Sequence, residues 1–185
     1  MGTSDVHHAL ERLTRKLEEL AIPYAVCGGM AVNAHGYERT TTDVDVLLTA
    51  AGLAKFKAHA LGLRWIEKFA GSRGVRDAER RVPIDFLLAG GIPGDGVPRG
   101  VEFPDPAVAA IEINGKRFLT LARLIEMKLA AGLSLPQRLQ DHADVIALIR
   151  ANHLGEHFAA DLHTFVHERY IELWRSARMR DPQAE

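Results

Sequence analysis

The 185 residues contain a single cysteine, Cys27. That rules out an intrachain disulfide and a thiolate zinc cluster, and it suits a reducing compartment. Net charge is also missing. With 23 basic and 24 acidic residues the balance is -1, which gives no global pull toward nucleic acid or membrane and leaves room only for a local basic groove. No apolar run approaches the roughly eighteen residues of a membrane span. The opening Met-Gly-Thr-Ser-Asp leads into a charged amphipathic stretch instead of an apolar signal core. No membrane partner is expected, and the expected location is cytoplasmic. Internal repeats and low-complexity tracts are absent as well.

What remains is ordinary globular material, 47% hydrophobic and 25% charged. At this length about 70% of the unfolded chain's surface can be buried. Val6, Leu10, Leu13, Leu17 and Leu20 alternate spacings of four and three, which predicts an amphipathic helix over 5–20 with Ser4 or Asp5 as its N-cap. Pro23 ends it. Tyr24 to Cys27 reads as a short strand stopped by Gly28-Gly29, and Met30 to His35 as a brief helix. Further strands are expected at Asp43–Leu48, Trp65–Phe69 and Arg81–Leu88, with a helix over Leu53–Leu61. Residues 89–106 form a Gly/Pro-rich loop long enough to act as a flap. Asn114-Gly115, between Ile111-Glu112-Ile113 and Lys116-Arg117-Phe118, is a strong two-residue hairpin signal. From Thr120 the pattern turns helical, over 120–132, about 137–151 and about 155–179. The expected fold is α+β: a small mixed β-sheet flanked by helices in residues 1–119, then a helical C-terminal section in 120–185.

Chemistry concentrates in Asp43-Val44-Asp45-Val46-Leu47-Leu48. Alternation along a strand puts Asp43 and Asp45 on one face about 7 Å apart, with Val44, Val46 and Leu48 turned to the core. Two carboxylates on one face repel each other, and a hard divalent cation is the natural compensation. Magnesium in particular keeps waters and takes substrate phosphates as further ligands. Asp85, in Val82-Pro83-Ile84-Asp85-Phe86-Leu87, is a third acid in an otherwise apolar strand, costly there unless paired or metal-bound. The competing explanation is plain ion pairing with Arg39 and Arg81. Upstream, Gly28 and Gly29 let backbone N–H groups approach an anion closely, and the helix that follows favours negative charge. A phosphate site beside a metal site is a more specific combination than either alone.

The stretch Val26-Cys27-Gly28-Gly29-Met30-Ala31-Val32-Asn33-Ala34-His35-Gly36, followed by Arg39-Thr40-Thr41-Thr42-Asp43-Val44-Asp45-Val46, resembles the nucleotidyltransferase superfamily, which includes DNA polymerase beta. It matches an apolar strand, Gly-Gly or Gly-Ser, a spacer, then Asp-apolar-Asp, and Asp85 fits the third acidic position. Downstream, Lys128, Arg138, Asp141 and Asp144 resemble the helical segment of minimal nucleotidyltransferases and AbiEii-type toxins. Two departures stand out: Gly29 where the family often has serine, and Gln140 before Asp141 where the toxins often have lysine.

The resemblance implies metal-dependent transfer of an NMP from an NTP such as ATP to a hydroxyl acceptor, with release of pyrophosphate. Asp43, Asp45 and Asp85 would be catalytic and hold Mg²⁺ or Mn²⁺. Gly28, Gly29, Arg39, Lys128 and Arg138 would bind the nucleotide. The acceptor could be tRNA, a protein or a small molecule; a toxin–antitoxin effector with an antitoxin partner, or a non-catalytic nucleotide-binding module, are the alternatives.

Other patterns carry less. His153-Leu154-Gly155-Glu156-His157 spells a zinc-peptidase motif, but Gly155 interrupts it at a helix boundary. His163 and His167 read as surface histidines, and Cys27 as a small buried hydrophobe. The glycines of 90–100 lack the following helix of a dinucleotide fingerprint.

Overall fold

A computed structural model describes residues 3–62 and 64–179. The first helix, α1, runs Thr3–Glu19 and buries Val6, Leu10, Leu13 and Leu17, the face its spacing marked out. Ser4 and Asp5 lie inside it, so its cap falls outside the described residues. The chain then builds β1 (Ala25–Cys27), α2 (Gly28–Ala34), β2 (Val44–Leu48), α3 (Ala50–Ala60), β3 (Trp65–Glu67), β4 (Val75–Asp77) and β5 (Pro83–Leu88). After the long loop come α4 (Pro106–Ala109), β6 (Ala110–Ile113), β7 (Lys116–Leu119), α5 (Leu121–Ser134) and α6 (Leu139–Ala151). Asn114 and Gly115 take φ of 51° and 73°, as a two-residue hairpin turn requires.

The seven strands form one mixed sheet in the order β3-β4-β5-β2-β1-β7-β6. β2 runs antiparallel to β1 and parallel to β5. The α+β architecture with a helical C-terminal section is the one expected. β4 was not foreseen, because three residues inside a Gly- and Arg-rich connection carry no periodic signal. Asp43 sits at the bend just before β2 and not within it. Arg81 precedes β5 in a left-handed conformation, φ 59°.

The helix expected over 155–179 is a second difference. Residues Glu156–Asp161 and Thr164–Val166 form two 3₁₀ segments before α7 (His167–Arg178). Tyr170 Oη donates to the Gly155 carbonyl at 2.9 Å and Trp174 Nε1 to the Leu154 carbonyl at 3.1 Å, folding this segment back on α7. His163 Nδ1 accepts from the Phe165 N–H and caps the second turn. The apolar spacing there serves packing between short segments, not one continuous helix face.

The two faces of the sheet differ in cover. Phe56 of α3 packs on Trp65 and Phe86, with ring centroids 5.4 and 5.2 Å away. On that same face Arg12 of α1 holds the buried Asp77 through a 2.7 Å bond. Strand alternation turns Asp45 and Asp85 to the opposite face, which α5 borders on one side and which lies open over β4 and β3.

Candidate active site

The register between β2 and β5 places Asp45 directly beside Asp85 on parallel strands. Asp43, at the strand's entrance, completes the group. Each of the three acids offers an oxygen within 4.8 Å of the others. Asp43 accepts from Thr41 Oγ1 at 2.9 Å, and Asp85 is held by Lys68 Nζ, 2.7 Å from both of its oxygens. Among the described residues no donor reaches the Asp45 carboxylate. Burial, then the charges of Asp43 and Asp85, push its pKa up to about 6, against the pull of Lys128 and Arg138. Close oxygens, partial burial and too little positive charge are the conditions a divalent cation relieves, so the donor set fits Mg²⁺ or Mn²⁺.

A second charged group stands behind the first. Lys128 of α5 is buried and donates to Asp141 at 2.9 Å and Asp144 at 2.7 Å, both buried on α6. Arg39 Nη2 donates to Asp144 at 3.1 Å; its Nε, 2.9 Å from the other oxygen, is not aimed at it. Gln140 and Arg138 donate to Asp144 and Asp141 respectively. Burial alone would raise Asp141, but Lys128 and Arg138 outweigh it and its pKa falls below the ordinary carboxylate value. Lys128 is therefore no solvated helix face, and Arg39 pairs with an acid of α6. Neither Arg39 nor Arg81 compensates the three aspartates. The cation touching them is Lys68, which no motif or periodicity along the chain singles out.

Gly28 and Gly29 open α2 beside this cluster. Gly28 has φ 58°, and a Cβ there would strike Asp45 Oδ2. At Gly29 a Cβ would lie 2.7 Å from Thr41 Oγ1 and 2.9 Å from Thr41 Cβ. Both positions demand glycine because β2 and its entry loop pack against the turn. Asn33 pins that loop, donating to the Arg39 carbonyl at 2.9 Å and accepting from its N–H at 3.0 Å.

Two cavities meet at the acids. One, about 420 Å³, is lined by Gly28, Gly29, Thr41, Asp43, Lys128 and Arg138, among others. The other, about 670 Å³, lies toward β5 and has Lys68, Phe69, Arg73, Asp85, Phe103 and Met127 in its walls. Gly91 to Gly94 and Phe103 of the long loop border this second cavity. All five sequence-predicted nucleotide-binding residues line the smaller cavity, and Asp43, Asp45 and Asp85 stand between the two.

No protein-family model matches the chain, and no curated protein matches its sequence. Solved structures do match. The crystal structure of ANT(2″)-Ia in complex with adenylyl-2″-tobramycin superposes with a TM-score of 0.58 over 96% of this chain and 100% of that one. The fold is that of the nucleotidyltransferases. The solution structure of the antibiotic-resistance factor ANT(2″)-Ia gives a TM-score of 0.57 over 95% of this chain and 94% of that one. A candidate nucleotidyltransferase from H. pylori gives 0.51 over 96% and 95%. Identity is 16% in each case, so the likeness is one of fold.

The remaining motifs stay structural. Among the described residues Asp43, Asp45 and Asp85 are the group placed to share a metal ion, and His153 and His157 take no part. His163 and His167 bond to nearby backbone, and Cys27 is buried, its thiol pushed up by that burial. No helix of the described residues is long and apolar enough to cross a membrane.

Proposed function

We propose that this protein is a nucleotidyltransferase that moves an NMP from an NTP to a hydroxyl acceptor. The observation that carries the reading is the undercompensated aspartate group at the junction of two cavities on a nucleotidyltransferase fold. Asp43, Asp45 and Asp85 would hold Mg²⁺ or Mn²⁺. When bound, such an ion neutralises phosphate charge and lowers the pKa of a coordinated hydroxyl.

The chain's own groups divide the remaining work between the two cavities. In the smaller one, the amides at Gly28 and Gly29 and the positive charges of Lys128 and Arg138 receive the triphosphate. Arg39 contributes positive charge at its rim. In the larger cavity Asp85 faces the acceptor and takes the hydroxyl proton, and Lys68 occupies its carboxylate while no metal is bound. The acceptor oxygen bonds to the α-phosphorus, the bond to the β-phosphate oxygen breaks, and pyrophosphate leaves. Loop 89–106 closes one wall and limits water.

The test is incubation of the purified protein with each α-labelled NTP, Mg²⁺ or Mn²⁺, and cell extract. Metal-dependent pyrophosphate release with label on one acceptor class is expected, lost by about 10²-fold or more in Asp43→Asn and Asp45→Asn. If calorimetry shows no metal-dependent NTP binding, the reading fails.

A further inference from the structure

The larger cavity has two unlike walls. Along α5, Leu124, Met127 and Ala131 fall at i, i+3 and i+7 and share one face of the helix, whereas Lys128, one position round, is turned to Asp141 and Asp144. Ile92, Pro93 and Phe103 of loop 89–106 continue that apolar surface. The loop is pinned there. Gly90 donates to the Phe103 carbonyl and the Phe103 N–H to the Gly91 carbonyl, each at 2.8 Å, and Val101 is buried. Gly94 lies so close to α5 that a Cβ on it would strike Ser134. The cavity thus ends against packed chain on this side. At about 670 Å³ it has the size of a site that encloses one small molecule.

The other wall is the turn between β3 and β4. Lys57 Nζ holds that turn, donating to Glu67 and to the Ser72 carbonyl, each at 2.6 Å, and the Ser72 N–H donates to the Phe69 carbonyl at 2.9 Å. It carries Lys68 against Asp85 and leaves Phe69 and Arg73 exposed at the cavity's edge, Phe69 at 70%. Arg73 makes no side-chain hydrogen bond or ion pair among the described residues.

The pairing of the remaining charges decides what the cavity can recognise. Its acids are Asp45 and Asp85, which belong to the candidate metal group, and Asp141, which Lys128 and Arg138 already hold. An ammonium group on an acceptor would therefore find no carboxylate of its own. An acidic group would find the unpaired guanidinium of Arg73, whose N–H groups suit a carboxylate or a phosphate. Apolar walls with one free cation at the edge are complementary to an amphipathic anion.

We infer that the acceptor is a small hydroxy compound with an apolar body and one acidic group. Its body lies on Met127, Ala131 and Phe103, its acid on Arg73 and its hydroxyl at Asp85. The hydroxyl oxygen bonds to the α-phosphorus, its proton goes to Asp85 and pyrophosphate leaves, so the product is a phosphodiester joining the nucleoside to the acceptor. This rests on the nucleotidyl-transfer reading above and assigns that reaction's acceptor.

The test has two arms. In the first, the purified full chain is titrated with anilinonaphthalene sulfonate, an apolar anion, and with phenylnaphthylamine, which has the same rings without the sulfonate. The sulfonate is expected to bind more tightly than its uncharged analogue, and to stay bound when NTP and Mn²⁺ are added to saturation. Arg73→Glu and Phe69→Ser should each weaken it by about tenfold or more. Both side chains are exposed, so the fold should tolerate either change, and NTP should still bind with Mn²⁺ because its groups line the other cavity.

In the second arm, label from α-labelled NTP is followed into its product in cell extract. The labelled product should pass a small-molecule filter before any protease or nuclease is added. Phosphodiesterase should free from it an acceptor that is retained on both reversed-phase and anion-exchange columns. A carboxylic acid will enter ethyl acetate at about pH 2 and return to water at about pH 8, whereas a phosphate ester will stay in water at both.

The inference is overturned if the sulfonate does not bind, binds no better than the uncharged dye, is displaced by NTP, or binds Arg73→Glu as it binds the wild type. Label on a protein, on a polynucleotide or on a base retained by a cation exchanger overturns it as well. If the wild-type protein binds no NTP, it is the transfer reading that has failed. Intact NTP binding and pyrophosphate release with label on one of those other acceptors removes only the acceptor assignment.

Discussion

Two acidic clusters lie side by side in this molecule, and they solve opposite problems. Asp141 and Asp144 are buried deeper than Asp43, Asp45 and Asp85, yet Lys128, Arg138, Arg39 and Gln140 surround them with donors. Asp43, Asp45 and Asp85 have one threonine hydroxyl and one lysine between them. The first cluster is complete as a piece of structure: it ties α5 to α6 and to the loop that enters β2. The second is incomplete without something positive from solution. A buried charge left partly unpaired costs stability, and such a cost is retained where function needs it. The contrast distinguishes scaffold from candidate site more sharply than the identity of the residues does, since both groups are aspartates with basic neighbours.

Removing the cation of the complete cluster should give the largest change in stability. Lys128→Met strands two buried carboxylates on one side, and breaking a buried pair in this way costs about 3–5 kcal/mol. Urea unfolding of the metal-free protein measures it. A loss below about 1 kcal/mol would mean Arg39, Arg138 and Gln140 suffice, and the contrast between the clusters would blur.

The incomplete cluster should respond in the opposite direction. The Asp45 carboxyl titrates near 6 in the folded chain against an ordinary 3.8, a difference equivalent to about 3 kcal/mol. A raised carboxyl pKa means the native state holds the extra proton between those values, so stability from this group falls as pH rises through that window. Asp45→Asn should therefore stabilise the chelated protein by up to about 3 kcal/mol at pH 7.5, with the gain closing near pH 4. Saturating Mn²⁺ should erase the advantage by stabilising the wild type alone. An Asn variant less stable than wild type at pH 7.5 would show that the cluster is compensated after all.

The glycine turn gives a smaller effect that separates packing from ligand binding. Gly29→Ala forces a methyl group against Thr41 and should lower stability by about 1–3 kcal/mol, read from the unfolding midpoint. Gly29→Ala combined with Thr41→Gly, which removes both clashing atoms, should recover part of that loss. No recovery would place the constraint elsewhere.

The smallest effect is expected at Lys68. Its pair with Asp85 is partly exposed and contributes at most about 1 kcal/mol to stability. Lys68→Met should thus unfold much like wild type while binding Mn²⁺ several-fold more tightly, because the lysine no longer competes for Asp85. Weaker Mn²⁺ binding in the variant would mean that Lys68 organises the site and does not merely fill it.

Much of this was legible in order along the chain. The spacing of Val6, Leu10, Leu13 and Leu17 fixes one helix face, Asn114-Gly115 fixes one hairpin, and Asp43-Val44-Asp45 announces two acids on one side of a strand entrance. These are local facts: a side chain's direction follows from its dihedral angles and its immediate neighbours. The sequence by itself therefore determined the α+β class, the aspartate pair and the glycine turn beside it. It misread the stretch 155–179, where apolar spacing meant packing between short turns, and it passed over β4, whose three residues pair only because β3 and β5 flank them. What tertiary structure alone decided was partnership. Asp85 meets Asp45 because β5 lies parallel to β2 in one register, forty residues further along the chain. Lys128 belongs to Asp141 and Asp144, Arg39 turns to Asp144, and Lys68 is the cation that reaches Asp85. Which charge is paired and which is left over depends on distances across the sheet and between helices, and those exist only once the chain has closed on itself.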